Sequence, residues 1–180
     1  MRVIAGSRKG HKLVAPRGLE TRPTSDRVRE NIFNLIGPVD DAKVLDLFAG
    51  SGALGIEALS RGADFALFID DSAEARALLR ENVAALGLGG VSRIFRRNAV
   101  GLGAAHPLPP FSLAFLDPPY GRALAEAALA AARAGGWLTA GALAVVEEAA
   151  DAAFAAPAGF DELERRRYDD TSLILLRHHG

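Results

Sequence analysis

One short stretch of the 180-residue sequence combines a carboxylate, two prolines and an aromatic ring. Asp117, Pro118, Pro119 and Tyr120 directly follow Phe111–Leu116, an apolar run whose length and flanking prolines predict a strand buried on both faces. Neither proline can donate a backbone hydrogen bond, and each restricts the residue before it to extended geometry. The four residues therefore predict a stiff loop at the carboxyl end of a strand, where ligands bind in an open α/β sheet.

This loop could orient an aromatic amine for methylation. A planar base could stack on Tyr120 while its exocyclic amine donates to the Asp117 carboxylate and the Pro118 carbonyl. Such an amine is a poor nucleophile because its lone pair is delocalised into the ring. Acceptors on both of its protons would aim that lone pair at an electrophilic methyl group and stabilise the positive charge that develops. The alternative interpretation is a plain strand-ending turn, for which one proline would suffice.

A glycine-rich stretch supplies a second candidate site. Gly50–Gly55 fits the pattern G-x-G-x-x-G between a predicted strand and a predicted helix, and Asp70 follows twenty residues after Gly50. The glycines would let the backbone approach a ligand closely, and the Asp70 carboxylate could accept hydrogen bonds from ribose hydroxyls. The spacing alone is equally consistent with a nicotinamide enzyme and an S-adenosylmethionine enzyme. The Asp117–Tyr120 loop favours the second, because a nicotinamide enzyme has no evident use for it.

Other residues at predicted strand ends could complete a cofactor site. Asp46 and the Phe48–Ser51 backbone could hold the methionine end of the cofactor, although Asp46 is also compatible with a solvated strand end. Asn98 and Ala99, after the third predicted strand, could meet an adenine ring, although Asn98 would also suit an ordinary loop. The predicted cofactor contacts are Asp46, Phe48, Ala49, Gly50, Ser51, Gly52, Asp70, Asn98 and Ala99.

These motifs lie on predicted strands that alternate with predicted helices. Apolar runs predict strands over residues 44–48, 65–69, 92–96, 111–116 and 143–147. The helices between them end near Ser60, Leu86 and Ala134, and Ser72 is placed to cap the second of these. Glu162–Tyr168 and Thr171–Leu176 predict a closing hairpin. The alternation predicts an α/β fold with a mostly parallel sheet and helices on both faces.

The amino-terminal segment is basic. Residues 1–36 carry eight Lys or Arg against three Asp or Glu, a net charge of +5, which leaves −6 for the rest of the chain. Arg2–Ala5 and Lys12–Val14 predict a hairpin with a basic tip, and Thr24 or Ser25 could cap a helix that runs to Ile36 with its basic edge outward. A basic segment on an acidic body predicts contact with a polyanion. We expect an extension over residues 1–37 before a catalytic domain over residues 38–180, with candidate polyanion contacts at Arg2, Arg8, Lys9, Lys12, Arg22, Arg27 and Arg29.

Composition excludes several classes of protein. The chain has no cysteine, which excludes disulfides, thiolate zinc sites and a cysteine nucleophile. Its four histidines show no ligand spacing with carboxylates, so we expect no metal site. No apolar run reaches about 18 residues and the first residues lack a signal-peptide pattern, so we expect a cytoplasmic protein without a membrane span. We also expect a monomer.

The sequence resembles the RsmD-type methyltransferases, which make N2-methylguanine in small-subunit (16S) ribosomal RNA. The likeness extends from Arg2 to about Arg177 and rests on Arg2–Gly6, Arg22–Glu30, Asp46–Gly62 and Asp117–Tyr120. It implies a Rossmann-like class I methyltransferase sheet of seven strands with the last antiparallel, and S-adenosylmethionine as methyl donor. It also implies that the polyanion is small-subunit ribosomal RNA, free or in a ribosomal particle, and that Asp117–Tyr120 form the catalytic loop.

Two other functions stay open at this point. The Asp117–Tyr120 tetrapeptide would equally serve a DNA adenine-N6 methyltransferase, although 180 residues leave no room for a separate target-recognition domain. The second alternative is a non-catalytic RNA-binding factor in ribosome assembly. The intact glycine loop and tetrapeptide argue against that alternative.

Overall fold

The computed structural model describes residues 1–17 and 25–180, and a seven-stranded sheet forms its centre. The strands are β1 Lys43–Leu47, β2 Phe65–Ile69, β3 Ser92–Phe95, β4 Phe111–Leu116, β5 Leu138–Ala149, β6 Phe160–Tyr168 and β7 Thr171–His178. Their order across the sheet is β3-β2-β1-β4-β5-β7-β6, and the first five strands in this order are parallel neighbours. Strand β7 runs antiparallel to both of its neighbours, β5 and β6. The predicted fold class, with the last strand antiparallel, is confirmed.

Within the described residues, four α-helices cover the two faces of the sheet. They are α1 Asp26–Ile36, α2 Ala53–Ser60, α3 Ala73–Ala85 and α4 Leu124–Ala134. The predicted caps at Ser25 and Ser72 are confirmed, because each hydroxyl accepts a hydrogen bond from the backbone N–H three residues later. The first three helices pack on one face, while α4 packs on the other through small alanine side chains. None of the described helices is long and apolar enough to cross a membrane.

Five strands differ from the prediction in their bounds. The first covers residues 43–47 instead of 44–48, the sixth begins at Phe160 instead of Glu162, and the seventh ends at His178 instead of Leu176. The third strand ends at Phe95 instead of residue 96, and the fifth extends from Leu138 to Ala149 instead of covering only residues 143–147. The extra residues arise because Leu138 pairs with Phe111 ahead of a register shift in the β4–β5 ladder. The apolar run that the sequence shows is therefore only the central part of this strand.

The predicted amino-terminal hairpin is wrong in its extent. It reduces to one antiparallel bridge between Arg2 and Lys12, and a 3₁₀ helix over Gly6–Arg8 forms the turn. The backbone N–H groups of Ile4 and Ala5 donate to the carboxylate of Glu57, at 2.9 and 3.0 Å, instead of to an opposing strand. Three backbone hydrogen bonds still join the two segments, from the N–H groups of Val3, Gly10 and Leu13 to the carbonyls of His11, Val3 and Met1, so the pairing stops before Ile4 and Ala5, whose N–H groups a side chain more than 50 residues away accepts.

The amino-terminal segment docks on α2 through a buried polar cluster. Glu57 is fully buried and also accepts a hydrogen bond from Arg61 at 2.8 Å. The Ser60 hydroxyl donates to the Ala5 carbonyl at 2.6 Å, which ties the segment to the last turn of the helix. A Cβ atom on Gly6 would lie 1.8 Å from the Ser60 carbonyl oxygen, so only glycine permits this close approach.

Arg29 belongs to the same cluster, and its position shows that one predicted polyanion contact is wrong. The sequence placed it among the candidate polyanion contacts, yet its side chain is fully buried. Its Nη2 atom donates to the Arg2 carbonyl and to Asp26, and its Nε atom lies 3.8 Å from the Glu57 carboxylate. A buried charge needs positive partners, and Arg29 is the second one of Glu57 besides Arg61. Arg22 and Thr24 lie outside the described residues, and the proposed boundary at residue 37 stays a prediction.

A pair of arginine variants tests this anchoring role. Arg29→Ala should lower the free energy of unfolding by about 3 kcal/mol, because it breaks a buried ion pair. Arg27→Ala is the matched control, since this exposed arginine of the same helix should change that free energy by no more than about 0.5 kcal/mol. Urea unfolding of both variants measures the difference, and equal stabilities would contradict the anchoring role.

Candidate active site

A cavity of about 930 Å³ lies at the carboxyl ends of β1, β2 and β4. Parallel strands end at one edge of the sheet, so motifs that are far apart in sequence meet there. The predicted site residues that line it are Asp46, Phe48, Ala49, Gly50, Ser51, Asp70, Asp117, Pro118 and Pro119. Residues of the glycine loop (50–55) and of the proline loop (117–120) thus border one cavity, which is large enough for a nucleoside-sized ligand.

Asp46 forms the floor of this cavity. Only 2% of the residue is exposed, so the alternative of a solvated strand end is wrong. Its Oδ2 atom accepts a hydrogen bond from the Gly55 N–H at 2.9 Å, which joins the end of β1 to the first turn of α2. Burial raises the pKa of Asp46 to about 8, against the lowering effect of the Gly55 hydrogen bond, and the nearby charge of Asp70 raises it further.

The glycine loop already uses its own N–H groups. The Gly50 N–H donates to Asp70 Oδ2 at 2.9 Å, and the Gly52 N–H donates to the Ala49 carbonyl at 2.8 Å. A pyrophosphate at a helix N-terminus would need such N–H groups for itself. A Cβ atom on Gly55 would lie 2.4 Å from the Phe68 ring, so this glycine allows close helix–strand packing.

The charges around the cavity favour a cationic ligand. Arg17 is the one basic residue among the described lining residues, which include four carboxylates (Asp70, Asp71, Glu74 and Asp117) besides the buried carboxyl of Asp46, whose raised pKa keeps it protonated near pH 7. A surplus of carboxylates repels the pyrophosphate of a dinucleotide and attracts positive charge. The cavity therefore disfavours a nicotinamide cofactor, which the glycine spacing alone left open.

Two polar residues that support the site were not among the predicted site residues. Asn82 is buried, and its amide nitrogen donates to the carbonyls of Ser51 and Val14 at 2.9 and 3.0 Å. Its amide oxygen accepts from the Val14 N–H at 2.8 Å, so one side chain connects the glycine loop with the amino-terminal segment. Arg76 donates to the Asp70 carbonyl at 3.1 Å. The sequence gives one indication of this role, because Asn82 is a polar residue on the apolar side of a predicted helix and so has to find hydrogen-bond partners inside the protein.

The structure leaves three of the predicted cofactor residues outside the lining of this cavity. Asn98 caps a 3₁₀ helix over Ala99–Gly101 by accepting from the Val100 N–H at 3.0 Å. Ala99 is buried in the core beneath α4, and Gly52 adopts a left-handed conformation at the start of α2. The adenine contact of Asn98 and Ala99 stays a prediction.

Tyr120 lies at the other side of the proline loop. It borders a second cavity of about 450 Å³, together with Gly121, Glu126 and Glu148. Its hydroxyl donates to Glu147 Oε1 at 2.9 Å and lies 3.2 Å from the Thr171 hydroxyl. Burial raises the pKa of this phenol well above its usual range, and the charge of Glu147 adds to the effect. The tetrapeptide therefore separates the large cavity from a second groove.

Among residues 1–17 and 25–180, no group of His, Cys, Asp and Glu is arranged to hold a metal ion. Two of the acidic side chains around the large cavity, Asp46 and Asp70, accept hydrogen bonds from backbone N–H groups. Their geometry is that of hydrogen-bond acceptors.

The chain is similar to known proteins along nearly its whole length. Residues 1–177 match the family described as Conserved hypothetical protein 95. The Ribosomal RNA small subunit methyltransferase D of Escherichia coli K12 is 43% identical over 148 residues, which cover 82% of this chain and 74% of that protein. The protein of the same name from Haemophilus influenzae is 34% identical over 169 residues, or 92% of this chain and 88% of that protein. The chain belongs to this family.

The family assignment agrees with the fold. The solved structure of the Escherichia coli protein yhhF superposes with a TM-score of 0.87 at 37% identity, and the match covers 99% of this chain and 98% of that one. The resemblance to the RsmD-type family and the class I methyltransferase fold that it implied are both confirmed.

The buried carboxyl of Asp46 predicts a pH dependence of stability. An unfolded aspartate ionises near pH 3.8, whereas the folded chain keeps the proton until about pH 8. Between these values the unfolded state binds fewer protons, so this group makes the free energy of unfolding fall as the pH rises. Asp46→Asn does not titrate and should be more stable than the unsubstituted chain at pH 8 by at least about 1 kcal/mol.

Chemical unfolding between pH 4 and pH 9 measures this difference. The stability gain of Asp46→Asn should be smallest near pH 4 and should level off above pH 8. Asp64→Asn, at an exposed aspartate before β2, is the control and should show no such trend. Parallel stability profiles for Asp46→Asn and the unsubstituted chain would contradict the raised pKa.

Proposed function

We propose that this chain transfers a methyl group from S-adenosylmethionine to the exocyclic N2 amine of a guanine in small-subunit (16S) ribosomal RNA. The observation that carries the proposal is that Asp117 and Pro118 border the same cavity as Asp46 and the glycine loop. Acceptors for an amine and a site for a cationic donor therefore meet at one place. The two relatives named Ribosomal RNA small subunit methyltransferase D support ribosomal RNA as the substrate class, and such an enzyme would act in the cytoplasm.

The described lining suits S-adenosylmethionine. This cofactor supplies an electrophilic methyl group on a positively charged sulfonium, and the acidic cavity suits that charge. Asp46 and the Phe48–Ser51 backbone would hold its methionine end, and Asp70 would accept from its ribose hydroxyls. Asp70 is already oriented for this role, because its two oxygens accept from the N–H groups of Gly50 and Ser72, both at 2.9 Å.

The proline loop would bind and orient the target base. The Asp117 carboxylate and the Pro118 carbonyl would accept from the two amine protons, and Tyr120 would stack on the ring. The acceptors would hold the nitrogen lone pair toward the methyl donor and stabilise the positive charge that develops on nitrogen. An amine inside a paired stack is out of reach, so the guanine has to be extruded into the site.

The exposed basic side chains of the amino-terminal segment would contact RNA phosphates. Arg2, Lys9, Lys12 and Arg27 are exposed and suit this role. Arg8 is half-buried, and its Nε atom donates to the Leu86 carbonyl at 3.0 Å. Part of its guanidinium group is thus already bonded within the protein, which leaves fewer donors for RNA phosphates. Arg29 is excluded by its burial.

Two alternative functions predict different products. A DNA adenine-N6 methyltransferase would use the same acceptors, and a non-catalytic assembly factor would bind RNA without turnover. An assay with labelled cofactor distinguishes the proposed function from these two alternatives. The chain is incubated either with DNA or with small ribosomal subunits from a strain that lacks it. Nucleoside mass spectrometry should find N2-methylguanosine in the RNA, whereas N6-methyladenine in DNA, or no product in a single turnover, would overturn the proposal.

Substitution of Asp117 tests its role directly. Asp117→Ala should lower kcat by about 100-fold or more, because one of two acceptors on the amine is lost, while cofactor affinity should stay within about threefold. Asp117→Asn keeps an acceptor oxygen and should retain more activity than Asp117→Ala. Asp64→Ala, at an exposed aspartate, serves as control. Near-normal turnover of Asp117→Ala would show that the assigned role is wrong.

The salt dependence of RNA binding tests the basic segment. Replacing Lys9 and Lys12 with Gln should weaken binding and reduce the slope of log affinity against log salt by about 1.5, because two phosphate contacts are lost. The matched control replaces Arg165 and Arg166 with Gln, since both are exposed but already paired with glutamates of β6. If the lysine variant and the unsubstituted chain had the same slope, Lys9 and Lys12 would not contact RNA phosphates and the proposed role of the basic segment would be wrong.

A further inference from the structure

Two consecutive buried carboxylates near the end of β5 hold the far side of the proline loop. Glu147 and Glu148 are 5% and 2% exposed. Glu147 accepts from the Tyr120 hydroxyl at 2.9 Å, and Glu148 accepts from the Gly121 N–H at 3.1 Å. Successive side chains of a strand point to opposite faces of the sheet, so the loop is bonded from both faces at adjacent residues.

The phenol of Tyr120 is fixed by two partners. When its O–H donates to Glu147, its oxygen remains free to accept from the Thr171 hydroxyl at 3.2 Å. Thr171 lies on β7 and pairs with Ala149 of β5, so both partners belong to the rigid antiparallel ladder. Two bonds in different directions fix the tip of the ring as well as its plane.

The residue type at position 147 needs an explanation. The strand residues before it, Ala144, Val145 and Val146, are apolar and buried. An apolar side chain would avoid the desolvation cost that a buried carboxylate imposes. A carboxylate also forms a stronger hydrogen bond to a phenol than a neutral acceptor does. The hydrogen bond from the Tyr120 hydroxyl therefore explains a carboxylate at this position, beside the proposed catalytic loop.

We propose that Glu147 is a positioning residue that sets the orientation of the Tyr120 ring and, through it, the plane in which the target base stacks. The inference rests on the proposed function, in which Tyr120 is the stacking platform. A base held at the wrong tilt would no longer present its amine to both Asp117 and Pro118. Loss of Glu147 should therefore act on turnover, and it should leave cofactor binding intact.

Kinetics of four variants test the proposal. Glu147→Ala should lower kcat about 10- to 100-fold, the range expected for one hydrogen bond to a charged group, with the dissociation constant of S-adenosylmethionine within twofold. Tyr120→Phe keeps the ring but loses the hydroxyl, and it should show a similar loss. The double variant should be no slower than either single variant, because both remove the same contact. Glu147→Gln keeps an acceptor and should recover most of the activity.

A control variant and the contrary outcomes complete the kinetic test. Glu162→Gln alters an exposed glutamate on β6 and should match the unsubstituted chain. Full turnover of Glu147→Ala would overturn the proposal. Losses that multiply in the double variant, or a weaker cofactor affinity with unchanged kcat, would also overturn it, because they would indicate a role separate from Tyr120.

A spectroscopic measurement tests the contact without any assay of activity. The chain has two tyrosines, so Tyr168→Phe leaves Tyr120 as the single source of a ring signal in protein labelled with carbon-13 at tyrosine Cζ. This signal should shift in Glu147→Ala and shift less in Glu147→Gln. An unchanged signal would overturn the positioning role. If RNA is not methylated at all, the proposed function fails, while this signal still decides whether Glu147 holds Tyr120.

Discussion

The hydrogen bond from the Gly55 N–H to the buried Asp46 carboxyl is the interaction on which the rest of the site depends. It joins the end of β1 to the start of α2, and so it fixes the glycine loop between them. A buried carboxyl is unfavourable unless it has a partner, and the helix N-terminus supplies one. The close packing of Gly55 against Phe68 keeps the two groups at bonding distance. The cavity floor is therefore polar and rigid before any ligand arrives.

Helix α2 links this floor to the amino-terminal segment. Its first turn bonds to Asp46, while Glu57 and Ser60 in its last turns hold the backbone of Ile4 and Ala5. Asn82 adds a second link, because it bonds both to the glycine loop and to the segment. The surface proposed to contact RNA and the cavity proposed to hold the cofactor thus share one rigid support. A substrate bound on that surface would meet the cavity at a fixed distance, as orientation of two reactants requires.

Sequence patterns predicted the elements whose causes are local, and they failed where the cause is a distant side chain. Apolar runs and serine caps predicted the strands and the starts of α1 and α3, because the periodicity and the cap lie within each element. The predicted extent of the amino-terminal hairpin and the predicted exposure of Arg29 were wrong for one shared reason, the burial of Glu57. That burial depends on the packing of α2 beneath residues 1–17, and no pattern near Arg29 reveals it. Burial of Asp46 likewise depends on a glycine nine residues later.

The distribution of charge explains how a polyanion could present a base to an acidic cavity. Four carboxylates border the cavity besides the protonated carboxyl of Asp46, and Glu147 and Glu148 lie behind the proline loop. These charges repel phosphate groups, so a nucleic acid backbone is kept at a distance from the opening. The exposed basic residues of the amino-terminal segment attract the same backbone from the side. A neutral base with amine donors is the part of a nucleotide that carboxylates accept. The negative charge around the cavity and the positive charge of the amino-terminal segment therefore favour an extruded base in the cavity and the phosphates on the basic segment.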